Sequence, residues 1–183
     1  MIIKIKERKT ALYCAGLMTI LLIWLIMFMK ELSMFFILKS SLLIMLSYIA
    51  MVCDINTRRI PNMLVLAMIA VWFLLIVPMM FFDLENGILL FTDSLYGMLI
   101  GGGLFLLVYL ISRKGLGGGD VKFMAAAGLY LGFSDTVPAI LYGSVLAAIT
   151  GLTLVLLKKL NRKDTMPLAP FLFIGIMITF FTK

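Results

Sequence analysis

The feature that most limits what this chain can become is its hydropathy pattern: long apolar runs follow one another with only short charged clusters between them. About 20 apolar residues in an α-helix cross the hydrocarbon core of a bilayer. Lipid offers no partner to an unpaired backbone amide, so each crossing must satisfy its own hydrogen bonds. The expected fold is therefore all-α, a polytopic membrane helix bundle. Only 14% of the residues are charged and 63% are hydrophobic, against about 25% charged in a soluble globule. No polar stretch is long enough for a soluble domain, so residues 1–183 read as one integral membrane domain.

Taken in order, the pattern predicts about seven transmembrane helices. A basic start with Lys4, Lys6, Arg8 and Lys9 precedes an apolar run from Ala11 to Met29. That run is longer than a signal-peptide core and lacks a small-residue cleavage site, so it reads as a retained first span. The second run ends at Cys53, and residues 54–62 read as a compact polar loop in which Pro61 suits the start of the next helix. Span three reaches about Met80. Residues 81–93 carry Asp83, Glu85 and Asp93 and read as an outer segment. Span four runs from Ser94 to Ser112, with Gly97 and Gly101 on a small-residue face suited to close helix packing. Span five, Val121 to Phe133, is short; Ser134 and Asp135 turn the chain into span six, Thr136 to Leu157, and a last span covers Met166 to Phe181.

Charge supports the count. With the N-terminus in the cytoplasm, alternate loops place 13 of the 16 basic residues inside, the bias expected of multi-pass membrane proteins. The net charge of +7 thus reads as topology signal and anionic-lipid contact, with no nucleic-acid partner. The same count places Asp54 and Asp120 together on the cytoplasmic side.

Histidine is absent, which removes Ser-His triads and histidine-held metals. Cys14 and Cys53 lie in or beside apolar runs, a poor basis for a disulfide or zinc site. No metal and no cofactor are expected. Acid–base chemistry then falls to carboxyls, and Asp54 and Asp120 are the inner-side acids not surrounded by solvated bases. Two readings are open for each. Either is an ordinary cap or arginine partner, or the two form a pair that shares a proton. In a pair, one carboxyl serves as base on a water and the other donates to the scissile carbonyl. Capping gives no reason for Gly117, Gly118 and Gly119 directly before Asp120. Those glycines allow close approach and unusual dihedrals, and leave amides free for an extended peptide. The run lacks the spacing of a nucleotide-binding loop.

At these residues the chain resembles the type IV prepilin peptidase family of GxGD aspartic proteases. Gly117 to Asp120 matches GxGD, and Lys122 extends it to GxGDxK. Asp54 followed by Arg59-Ile-Pro-Asn62 resembles the family's first catalytic segment, and Pro167-Leu-Ala-Pro170 its proline-rich motif. The resemblance covers about residues 45–180 and defines a core over residues 32–183, with residues 1–31 as an additional N-terminal helix. It implies a membrane aspartic endopeptidase that removes the leader from prepilin-like precursors at the cytoplasmic face of the plasma membrane. It implies Asp54 and Asp120 as the catalytic pair, and Gly117, Gly118, Gly119, Lys122, Pro167 and Pro170 as substrate-binding residues. Lys122 also reads as a residue turned towards lipid, solvent or the neighbouring loop. The paired Cys-x-x-Cys segment that goes with methyl transfer in larger members is not in this sequence, so peptidase activity alone is expected. The competing readings are an intramembrane protease of the presenilin or signal-peptide-peptidase type, and a small transporter or assembly subunit.

Overall fold

The protein was analysed as a computed structural model that describes residue 18 and residues 33–112, 116–158 and 166–182. Among these residues the fold is all-helical, with five helices: α1 (Met34–Thr57), α2 (Asn62–Phe82), α3 (Leu84–Ile111), α4 (Gly118–Leu156) and α5 (Ala169–Thr182). The first four are long and apolar enough to cross a membrane, and α5 is a shorter apolar helix. The expected first span, and with it the proposed extra helix of residues 1–31, lies outside the described residues apart from Met18.

The count of seven is therefore not what the described residues show, and one reason is local. Expected spans five and six are joined in α4 without a loop. The break falls at Gly132, whose backbone is non-helical (φ 74, ψ −176), instead of at Ser134 and Asp135. A side chain built on Gly101 would touch both Met124 and Thr136. Those residues would stand about 18 Å apart on an unbroken helix, so the chain turns back at Gly132. Only glycine adopts that dihedral pair readily. Its missing Cβ also leaves room for the Asp93 carboxylate, and Asp93 Oδ1 accepts the Phe133 N–H at 3.0 Å, capping the second half of α4.

Two further boundaries differ from expectation. Residues 54–57 continue α1 instead of opening a loop, so Asp54 is a helical residue. The helix ends at Arg58, in the left-handed region (φ 53), which donates its N–H to the Asp54 carbonyl at 2.8 Å. The acidic segment 81–93 is helical from Leu84 onwards. Asp83 caps α3 by accepting from the Asn86 backbone at 3.2 Å and its side-chain amide at 2.6 Å. Acids near a helix N-terminus are favourable, so this charge cluster starts a helix.

Packing follows the small residues. Helix α3 lies most extensively on α4, with Gly97 against the Gly128 backbone and Gly101 against Met124. This is the close approach that small residues permit where lipid supplies no hydrophobic drive between helices. Two buried polar side chains find partners across the bundle: Trp72 Nε1 donates to Ser94 Oγ at 3.3 Å, and the Tyr130 hydroxyl to the Met68 carbonyl at 2.6 Å. Helix α5 runs antiparallel to α1, with Phe180 on Phe36, Phe173 on Tyr48, and Ala169 at Asp54. Large apolar residues such as Leu99, Leu107 and Ile111 face outward, as a lipid-facing surface requires.

Candidate active site

The geometry of the site begins with how three helix ends converge. Asp54 sits on the last turn of α1 and is only 5% exposed. Asp120 is the third residue of α4, whose cap is Gly117. The Asp120 backbone N–H donates to the Gly117 carbonyl at 3.1 Å, and its carboxylate in turn accepts from the Gly117 backbone. The acid thus supplies one half of a capping box, since Gly117 has no side chain to complete it. A Cβ on Gly117 would lie 2.9 Å from Asp120 Oδ2. A side chain at Gly117 would therefore press on the Asp120 carboxylate, while the Gly117 backbone (φ −77, ψ 137) is one that any residue adopts. The expected unusual dihedral is absent at Gly117. Gly118 and Gly119 occupy the first helical turn, where backbone donors lack intrahelical acceptors.

The two carboxyls open onto one cavity of about 230 Å³, lined also by Arg58, Arg59, Ile60, Asn62 and the three glycines. The Asp54 charge acts on Asp120 across it. This volume is below that of a typical small-molecule pocket, about 300–1,000 Å³, and suits a water and a short length of backbone. The structure therefore brings together Asp54, Asp120, Gly117, Gly118 and Gly119. Lys122, Pro167 and Pro170 lie outside the lining. Lys122 donates from Nζ to Asn62 Oδ1 at 3.1 Å, so of the readings open for it the neighbouring loop is where it points.

The prolines act through the residue between them. Asp54 Oδ2 accepts the Ala169 N–H at 3.0 Å in a buried contact. At the start of α5, Pro170 has no amide proton, and the Phe171 N–H is taken by the Leu168 carbonyl at 3.0 Å. Ala169 is thus left as the unpaired donor of the first turn, and it is spent on Asp54. Sequence reading placed Ile60, Asn62 and Ala169 inside its two motifs but gave none of them a role of its own. A signal for Ala169 existed: a proline directly after it removes the competing amide. For Ile60 and Asn62 the motif marked the segment but not the contacts, because their partners Gly119 and Lys122 lie far along the chain.

Comparison with known proteins bears on the family. Residues 40–152 match the type IV leader peptidase family, a range that holds Asp54, Asp120 and the glycines and ends before Pro167. The chain is 30% identical over 135 residues to the prepilin leader peptidase/N-methyltransferase of Escherichia coli (strain K12), covering 69% of this chain and 55% of that protein. It is 34% identical over 92 residues to the protein of the same name from Bacillus subtilis (strain 168), covering 48% of this chain and 37% of that protein. The chain thus spans little more than half the length of the first relative and about a third of the second. No solved structure matches it. A match over more than half of its length, with both acids inside it, shows that the chain belongs to the type IV leader peptidase family.

Proposed function

We propose that this chain is an aspartic endopeptidase that removes the leader from prepilin-like precursors at the cytoplasmic face of the membrane. The observation that carries this reading is that Asp54 and Asp120, from distant parts of the chain, open onto one cavity, across which the Asp54 charge bears on Asp120. Neighbouring carboxyls do not both ionise freely, so the pair holds one proton between them. The ionised member takes a proton from a water in the cavity as that water attacks the scissile carbonyl. The protonated member donates to the carbonyl oxygen, giving a tetrahedral diol. The carboxyl that took the water's proton then gives it to the leaving nitrogen while the other carboxylate takes a proton from a diol hydroxyl, so the C–N bond breaks, the new carboxyl forms and the pair again holds one proton.

The remaining lining residues serve this chemistry. Amides at the start of α4 offer donors to an extended substrate backbone. The substrate's apolar helix lies in the bilayer beside the bundle, and its basic leader stays in the cytoplasm with the N-terminus of this protein. The test is leader removal from a prepilin-like precursor by the purified protein, with Asp54→Asn and Asp120→Asn alongside and with chelator added. Loss of cleavage in both variants, unaffected by chelator, is expected. Intact cleavage in either variant overturns the reading.

A further inference from the structure

We infer that Lys122 and Asn62 form a clasp that sets the separation of Asp54 and Asp120, and so act as positioning residues for the proposed reaction. The inference rests on that reading of the dyad. Asp54 lies at the end of α1, and a four-residue loop leads from it to Asn62, the first residue of α2. Asp120 and Lys122 share the opening of α4. The 3.1 Å bond from Lys122 Nζ to Asn62 Oδ1 therefore ties the segment that carries one carboxyl to the segment that carries the other.

A second contact reinforces the first. Ile60, in the middle of the same loop, is buried, and a Cβ on Gly119 would meet its atoms at 3.4–3.7 Å. Loop and helix thus touch on both sides of Asp120. Two positions beyond Asp120 on a helix, Lys122 projects to a different side, which is how it reaches the loop while Asp120 lines the cavity. Reacting groups misplaced by about 1 Å lose roughly 10²-fold in rate, so a tie between these segments bears on turnover more than on substrate binding.

Steady-state cleavage of a prepilin-like precursor tests this with Lys122→Met, which keeps the stem and removes the donor, with Asn62→Ala, and with the double variant. Each single change is expected to lower kcat by about five- to tenfold, the worth of one solvent-exposed hydrogen bond, with KM unchanged. The double variant should be no worse than either single one. Lys122→Arg, which restores a donor, should recover most of the kcat lost in Lys122→Met. If Asn62→Ala does not accumulate, Asn62→Leu keeps the side-chain shape without the acceptor. A raised KM for Lys122→Met with Asn62→Ala silent would make Lys122 a substrate contact and overturn the clasp. Additive losses, or no change in kcat, would overturn it equally. Failure of the dyad itself registers separately, as cleavage retained by Asp54→Asn or Asp120→Asn.

Discussion

The two ends of the bundle use the same device for different purposes. At one end Asp54 of α1 accepts the Ala169 N–H that opens α5, and at the other Asp93 of α3 accepts the Phe133 N–H that opens the second half of α4. Both bonds measure 3.0 Å, and each lets a carboxylate on one helix cap another. The surroundings differ. Asp93 lines a larger cavity of about 620 Å³ with Asp83 and Lys39, and Asp83 is already engaged by Asn86. Asp54 shares a small cavity with a second carboxyl whose own charge it influences. A capping carboxylate is a structural part; facing another carboxyl across a confined space is what makes it a candidate for chemistry.

The sharpest way to break this contrast is to neutralise each acid in turn. Asp54→Asn or Asp120→Asn should reduce leader cleavage by about 10³-fold or more, while Asp93→Asn, tested in the same assay, should leave the cleavage rate of the folded protein near its starting value. If Asp93→Asn matched the other two, the division between the ends would be wrong. Next in size is Gly132→Ala. It forces a side chain into a dihedral region costing about 1–3 kcal/mol and against the Asp93 carboxylate. A marked fall in the heat-denaturation midpoint in detergent is expected, with little effect on cleavage by the protein that remains folded.

Ala169→Pro sharpens the comparison from the Asp54 side. It removes the amide that holds Asp54 and leaves a residue suited to the first helical turn. A fall in kcat of about 10- to 100-fold is expected, from loss of a hydrogen bond to a charged group, with Ala169→Gly near the parent as the control for bulk. Equal losses in the two variants would assign the effect to packing.

The smallest effect belongs to Asp83. Its carboxyl is held below the ordinary range because the Asn86 side-chain amide, and then the Asn86 backbone, donate to it. A carboxyl depressed on folding stabilises above its unfolded value, about pH 4, and that stabilisation is lost as pH falls through the folded value. Asp83→Ala should therefore lower the denaturation midpoint slightly at about pH 7, and the gap should close in strong acid.

Much of this organisation was legible before any coordinates. The apolar runs located the helices because burial in lipid is a local demand that each segment meets by itself. The positions of Asp54, of the glycines and of Asp120 at run boundaries pointed to the site. Helix ends were read less well. The acids at 81–93 suggested a loop, yet Asp83 caps α3, and the charge of Asp54 suggested a loop where α1 still had a turn to complete. Charge marks a boundary only to within a turn, because a polar side chain at a helix end is as well served by capping as by leaving the helix.

What the sequence determined by itself was an all-helical chain of membrane-crossing segments with two acids set apart from the solvated charges. Which groups those acids meet was decided in three dimensions. The Ala169 amide on Asp54, the Lys122 bond to Asn62 and the reversal at Gly132 over the Asp93 carboxylate all join residues remote in the chain. Hydropathy acts on each segment separately, whereas a hydrogen-bond partner is chosen only once helices have packed and their ends have been brought to the same level.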